Sequence, residues 1–348
     1  MDVRLSPEQV ALRDAAAQVV DRLGVQTVAA LDDLERAMKL NAAVEASGWR
    51  ELRTATEDGM APWASAVEVA IVAEELGRGL ADAPFLGATL AAELRRLAGA
   101  PPAAEPETIA LRKDLGQRAS IADGRVLGGA LAPDALLATS ALLPICTGDG
   151  CLIATVGLEP AESGVDLTRP LARVRASTKV HLVEGQTRPL DLDDLSAWYS
   201  LALAATSADL VGVMRGALAL TTEYARERRQ YGAPIGSFQA VQHLLADAFV
   251  AMEGSSSIAL HAAWAVDALP APDALAAASA AKAYCARAAR SVCETAIQVH
   301  GGIGNTWECL AHVFLRRALL STDVLGGVGP NLARVLAARG IGADDGLR

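Results

Sequence analysis

Two short segments gather side chains able to hold a bound group by hydrogen bonds. The first is Arg228-Arg229-Gln230-Tyr231-Gly232-Ala233-Pro234-Ile235-Gly236-Ser237-Phe238-Gln239; the second is Gln298-Val299-His300-Gly301-Gly302-Ile303-Gly304. Arg228 carries a charged fork of donors suited to an anion. Gly301 and Gly302 have no Cβ, so backbone N–H groups there can be approached closely. Gln239 and Gln298 can both donate and accept neutral hydrogen bonds. Taken singly, each segment is also an ordinary helix end. Arg near a last turn offsets the dipole, Gly232 caps, and Pro234 prevents continuation.

The remaining chemistry-bearing residues are less organised. The five cysteines are Cys146, Cys151, Cys285, Cys293 and Cys309. An odd count, no CxxC and no metal-ligand spacing predict reduced thiols in a cytoplasm, filling core space. No metal site is expected. His243, His261 and His312 fall on helices at no ligand spacing; His300 lies inside the glycine segment, open to a ligand contact or a structural role. A short basic cluster, Arg226, Arg228 and Arg229, stands against a net charge of -10. That charge offers no basic face for phosphate backbones, so nucleic acid is excluded as a partner. No run of ~20 apolar residues free of charge exists to span a membrane. The N-terminal MDVRLSPEQV has no apolar core of a secretion signal.

The elements that must position these residues can be read from their patterns. Apolar residues make up 52% and aromatics only 4%. The apolar share is mostly Ala, Leu and Val, which favours helices. Ser6, Pro7 and Gln9 form a capping box that opens a helix, with Gly24 expected to end it in the left-handed conformation. Further helices are expected at about 32–47, at 64–76 with Gly77 as the stop, and at 87–97. Pro101, Pro102 and Pro106 mark a linker. Short runs follow at 108–111, 125–127 after Asp123-Gly124, 152–156 after Gly148-Asp149-Gly150, and 173–183. They read as strands of a small antiparallel domain, although 132–143 fits a helix too. Long helices then return near 204–227, 238–269, 272–299, 308–321 and 328–339, implying a bundle with antiparallel neighbours. The predicted fold is mostly α with a small β insert. It divides into a helical domain over 1–105, a β domain over 106–192 and a helical bundle over 193–348.

In this order and at this separation, the two segments resemble the acyl-CoA dehydrogenase family. There an Arg-x-Gln-aromatic-Gly-x-Pro-Ile-x-x-Phe-Gln loop and a Gln-x-x-Gly-Gly loop reach the FAD of a neighbouring subunit. Val69-Ala70-Ile71-Val72-Ala73-Glu74-Glu75-Leu76-Gly77-Arg78 and Pro84-Phe85-Leu86-Gly87 are similar to the family's N-terminal domain. His300 to Glu308 with Phe314-Leu315-Arg316-Arg317-Ala318 is similar to one of its branches. The resemblance implies FAD as cofactor, with Arg228, Tyr231, Gln239, Gln298, Val299, His300, Gly301 and Gly302 as its contacts. It further implies an acyl-CoA thioester substrate, an oligomer, and an electron-transferring flavoprotein as acceptor. Arg228 would face the pyrophosphate dianion, and Tyr231 stands where the family places an aromatic against the cofactor.

Three departures accompany the resemblance. The family's catalytic Glu falls at Leu325, before Gly326, in one arrangement, and near Ala202 in the other. Neither residue takes a proton, and a general base is worth roughly 10²–10⁴-fold in rate. Asp209, Glu308 and Asp323 are the acids left to substitute, each read first as a surface or capping group. The Trp-Ser/Thr pair expected against the flavin ring is missing too, for no Trp occurs between Pro106 and Asp191. The catalytic residue is therefore unassigned. Intact cross-interface loops beside a degenerate site resemble one partner of the heteromeric actinobacterial enzymes that act on bulky CoA thioesters such as steroid side chains. The rival readings are a self-sufficient homomer with a displaced base, Glu308 first, a flavin-dependent oxygenase on the same fold, and a purely structural subunit.

Overall fold

Ser6 opens the first helix as its neighbours dictate. Its hydroxyl accepts from the Gln9 N–H at 3.2 Å, and the Gln9 side chain accepts from the Ser6 N–H at 3.0 Å. Two orphan donors of the first turn are thereby satisfied. The computed structural model of the chain describes residues 4–341 apart from 58, 60, 148, 149 and 163. Four helices come first: α1 (Pro7–Leu23), α2 (Leu34–Ala46), α3 (Ala66–Arg78) and α4 (Leu86–Leu97). The expected glycine stops behave differently. Gly24 is extended (φ -67°, ψ 174°), not left-handed. Its lack of a Cβ serves packing instead: a Cβ there would lie 2.7 Å from the Gly79 carbonyl oxygen. Gly77 does not end α3; it lies within the helix, where a Cβ would meet the Asp209 carbonyl oxygen at 2.5 Å. Both glycines let two backbones touch.

The middle of the chain forms short strands: β1 (Glu107–Ile109), β2 (Leu111–Arg112), β3 (Ile121–Ala122), β4 (Arg125–Val126), β5 (Ala130–Ala132), β6 (Ser140–Thr147), β7 (Gly150–Gly157), β8 (Ala172–Val174) and β9 (His181–Leu182). One sheet orders them β1-β6-β7-β9, another β2-β5-β8, and β3 pairs with β4. The segment 132–143 is strand and loop, without helix. The sheet is not wholly antiparallel, because β1 runs parallel to β6, with Glu107 opposite Ser140. The intervening chain, with β2 to β5, supplies the crossover that a parallel pair requires. Of the expected Gly148-Asp149-Gly150 turn, the first two residues lie outside the described residues. The expectation of reduced thiols fails in part. Cys146 and Cys151 face each other across β6 and β7 and are disulfide-bonded. Their partnership is a register effect between strands, which spacing rules for CxxC do not test. Cys285, Cys293 and Cys309 are free and buried, as expected of small core fillers.

The rest is the bundle: α5 (Leu192–Glu227), α6 (Gln239–Ala268), α7 (Ala271–His300), α8 (Ala311–Asp323) and α9 (Val328–Ala338), with a two-strand ribbon of β10 (Arg229–Gln230) and β11 (Ala233–Pro234) between α5 and α6. Asp191 and Asp194 form a capping box that starts α5 at Leu192, twelve positions before its expected origin near 204. Only α5, among the described residues, is long and apolar enough to cross a membrane, and 94% of its most apolar 18-residue segment is buried within the fold. Its hydrophobicity is that of a central core helix. Small residues let partners approach: a Cβ at Gly212 would meet the Glu74 carbonyl oxygen at 1.9 Å, so α3 and α5 pack backbone to backbone.

Candidate functional site

Because α6 turns back between them, α5 and α7 run in the same direction and finish at one end of the bundle. Tyr224, in the last turn of α5, stacks on His300, the last residue of α7, with ring centroids 4.4 Å apart. That stack brings together the two segments singled out from the sequence.

Gly232 does not cap the helix that leads into the first segment. The helix ends at Glu227, and Arg228 is its cap, extended in backbone, its N–H donating to the Tyr224 carbonyl at 2.8 Å. Tyr231 and Gly232 then make the tight turn of the β10–β11 ribbon, both left-handed at φ 52° and 80°. Two successive positive φ values are what a two-residue hairpin of matching twist needs. The turn pushes the Tyr231 ring outward to 96% exposure. Phe238 lies edge-on to it at 6.3 Å. The Ile235 N–H donates to the Arg228 carbonyl at 2.8 Å, folding the loop back on its origin. Gly236 fits against α5, where a Cβ would sit 2.9 Å from the Ala225 carbonyl oxygen. Gln239 is exposed in the first turn of α6, a helix whose N-terminus has no side-chain cap.

In the second segment, Gln298 is exposed and Val299 half-buried. His300 is buried, and its Nδ1 lies 2.8 Å from the Ala296 carbonyl oxygen. Burial holds its pKa below the usual imidazole value. Gly301 leaves the helix at φ 67°, ψ -141°, a region open to glycine almost alone. A Cβ at Gly301 or Gly302 would meet nothing within 4 Å, so the space above this turn is open. Arg228, Tyr231, Gln239, Gln298, Gly301 and Gly302 thus all lie on the outside of the molecule. The Arg228 guanidinium has no ion-pair partner among the described residues. The donor set suits a dianion: one guanidinium fork beside a glycine turn with open space above it, and an uncapped helix N-terminus.

The positions where the family's base belongs look quite different. Leu325 is 0% exposed and left-handed at φ 61°, and its N–H donates to the Leu115 carbonyl at 2.7 Å, so the β domain is closed onto it. Ala202 is also fully buried. The three acids considered as substitutes separate cleanly. Glu308 and Asp323 are exposed. Asp209 overturns its reading as a surface or capping group: it is 1% exposed, at the centre of a buried charge cluster. Its carboxylate accepts from Arg317 at 2.6 and 3.1 Å and from the Ser321 hydroxyl at 2.5 Å, and pairs with Arg169 at 3.4 Å. Burial alone would raise its pKa, but Arg169 and Arg317 hold it below the usual carboxylate range. A base already engaged by two guanidiniums is poorly placed to accept a proton. The void beside the cluster, bounded also by Phe85, Leu86 and Asp134, is ≈ 10 Å³, enough for about one water.

This cluster ties the layers together. Arg317 also donates to the Ala81 carbonyl at 2.7 Å and to Thr168 at 3.1 Å, while Arg169 bonds Asp166 at 2.9 Å and the Ser321 hydroxyl. Nearby, Lys282 is wholly buried and donates to the Ser321 and Val324 carbonyls at 2.5 and 2.7 Å, at the C-terminus of α8. Burial lowers its pKa to about 7. None of this was legible locally, since Asp209 and Arg317 are 108 positions apart.

A helical N-terminal layer, a small β domain and a C-terminal helical bundle with outward loops define the acyl-CoA dehydrogenase fold. The backbone matches the ChsE4–ChsE5 complex from Mycobacterium tuberculosis with a TM-score of 0.79 at 25% identity, over 98% of this chain and 99% of that one. A structure of the Tcur3481–Tcur3483 steroid ACAD shares the fold, with a TM-score of 0.80 at 22% identity over 96% and 98% of the two chains. Residues 201–340 match the family model of the acyl-CoA dehydrogenase C-terminal domain. Over 263 residues the chain is 37% identical to acyl-CoA dehydrogenase IpdE2 of Mycobacterium tuberculosis, covering 74% of this chain and 73% of that protein. The chain belongs to the acyl-CoA dehydrogenase family, whose members are flavin-dependent oxidoreductases.

Proposed function

We propose that this chain is the base-less subunit of a heteromeric, FAD-dependent acyl-CoA dehydrogenase. Its loops embrace a dinucleotide held mainly by a catalytic partner. The observation that carries the reading is the contrast at Leu325: an aliphatic side chain, sealed from solvent, stands where a proton acceptor is required. When bound, FAD supplies the acceptor for a hydride leaving the β-carbon of an acyl-CoA thioester. This chain's part is to hold and orient. Arg228 would neutralise the pyrophosphate, and the glycine turn at Gly301 and Gly302 would leave it room to approach the backbone. Gln239 and Gln298 bond its polar oxygens. Tyr231 covers the cofactor, and Val299 and His300 fix the turn beneath. The partner contributes the base that removes the α-proton. A heteromer is supported by the likeness to a structure of the ChsE4–ChsE5 complex, and bulky substrates by the likeness to a steroid ACAD. An electron-transferring flavoprotein is the acceptor consistent with this chemistry.

Exposed apolar side chains on the loop and farther along α6 support a protein partner on this side of the bundle. Tyr231, Phe249 and Val250 are 96, 54 and 68% exposed. Arg215, Thr222, Glu223, Arg226, Phe249 and Met252 line a groove of ≈ 500 Å³ between α5 and α6. Co-expression with an adjacent dehydrogenase gene, followed by co-purification, tests the reading. The complex should be yellow, and Arg228→Ala should lower its flavin content at least tenfold without dissociating the chains. A chain that purifies alone with stoichiometric flavin and turns over an acyl-CoA would refute it.

A further inference from the structure

The disulfide between Cys146 and Cys151 is poorly explained as a staple. The two cysteines sit directly opposite one another, in a strand pairing of β6 with β7 that runs from Ser140 to Thr147 and fixes their register already. They are 5 positions apart, so the loop the bond closes is short. In the chain-entropy account a disulfide stabilises by restricting the unfolded chain, and least for short loops. Cys285, Cys293 and Cys309 are free and buried, so no other part of the fold is held by an oxidised pair.

The surroundings of the two sulfurs suit a bond that is made and broken. Cys146 is exposed at the end of β6, whereas Cys151 is buried. The Arg118 guanidinium donates to the Cys146 sulfur at 3.2 Å, and its carbon lies 6.0 Å from the Tyr199 ring centroid. Arg118 has no carboxylate partner among the described residues. A second guanidinium, that of Arg334, comes within 5.5 Å of the same ring and bonds only the neutral Asn331 side chain and Leu325 carbonyl. Elsewhere Arg36, Arg53, Arg95, Arg169 and Arg317 each face a carboxylate. The sulfur that Arg118 touches is neutral while bonded and negative once it becomes a thiolate. A thiolate beside an arginine is stabilised, and cysteines so placed and partly exposed are the reactive ones. The counter-charge that Arg118 lacks is thus latent in the disulfide.

We propose that Cys146 and Cys151 form a thiol–disulfide exchange site, entered through the exposed Cys146 sulfur and assisted by Arg118, whose co-reactant is a dithiol. One thiolate of the dithiol attacks the Cys146 sulfur, and the S–S electron pair leaves on Cys151, which takes up a proton. The second thiolate then attacks the reductant's own sulfur in the mixed disulfide, and Cys146 leaves as a thiolate paired with Arg118. The chain gains two electrons and the dithiol becomes a disulfide; one of its two protons ends on Cys151 and the other in solvent. Reduction unties the end of the β6–β7 hairpin and gives Arg118 a counter-ion. The site lies in the β domain and does not rest on the proposed function.

The test treats the native full-length chain with dithiothreitol at fixed pH, quenches with iodoacetamide and reads each cysteine by mass spectrometry, with circular dichroism following the fold. Cys146 and Cys151 should become alkylated while Cys285, Cys293 and Cys309 stay unmodified and the helical signal holds. Oxidised glutathione should restore the bond. Arg118→Gln should slow reduction at least threefold, because exchange depends on the stability of the departing thiolate, and Arg118→Lys should recover part of the rate. In Cys151→Ser, which does not depend on the arginine variants folding, oxidised glutathione should leave a stable mixed disulfide on Cys146. Reduction only together with exposure of the three buried cysteines, a pair that glutathione never rejoins, an unchanged rate in Arg118→Gln, or no adduct on Cys146 in Cys151→Ser would each overturn the assignment.

Discussion

The open loop end of the bundle and the sealed interior near Leu325 treat polar groups in opposite ways. At the loop end, Arg228, Gln239 and Gln298 stand in solvent, above glycines whose missing side chains leave room. In the interior, Asp209, Arg317, Arg169 and Ser321 satisfy one another, around a void that holds about one water. A surface whose donors lack partners is ready to receive a ligand. An interior whose charges are already paired is ready only to hold the fold together. The family's chemistry needs both a cofactor grip and a reacting cleft, and under the proposed function this chain would supply the first and leave the second to its partner.

The largest test of that contrast is Asp209→Ala. It strips the counter-charge from two buried guanidiniums, and breaking such a pair costs about 3–5 kcal/mol. Urea unfolding should show that loss, and an unchanged midpoint would mean the cluster holds nothing together. The pH dependence of stability comes next. Lys282 is depressed to about 7 in the folded chain from an ordinary 10.5, so between these values the unfolded state binds more protons and stability rises with pH. The slope reaches about 1.4 kcal/mol per pH unit. It is cleanest from pH 7 to 9, because above 9 the Cys285 and Cys293 thiols, pushed up to about 12 by burial, act in the opposite sense. Urea midpoints across that window should climb in the native chain and stay level in Lys282→Met.

Smaller effects belong to the loop end. Gly301→Ala forces a side chain into a backbone region nearly reserved for glycine and should cost about 1–3 kcal/mol, read from the shift in thermal unfolding. Arg228→Ala should leave stability within about 0.5 kcal/mol, as expected of an exposed side chain with no internal bond. Its effect should appear only in flavin retention by the complex. A large stability loss there would show that the loop is internal architecture, and would erase the difference between the two regions.

Much of the site was legible because it is local. The capping box at Ser6, the loop after α5 and the glycine turn after α7 are each written in contiguous residues, and propensity, charge and φ preference act over a few positions. The same locality explains the misses. Gly24 and Gly77 look like helix stops when read beside their neighbours, yet both are glycine for the sake of backbones far along the chain. Cys146 and Cys151 pair through strand register, and β1 lies parallel to β6 through a crossover, neither of which a short window contains.

The sequence by itself determined that α1 opens at the Ser6 capping box, which residues form the outward loops, and that positions 202 and 325 carry no acid. Tertiary structure alone decided that Asp209 is a structural counter-ion and that Arg118 and Arg334 meet at one ring. The reason is electrostatic: a side chain's role depends on the charges and solvent around it. For a group buried among residues more than a hundred positions away, only the folded chain supplies those surroundings.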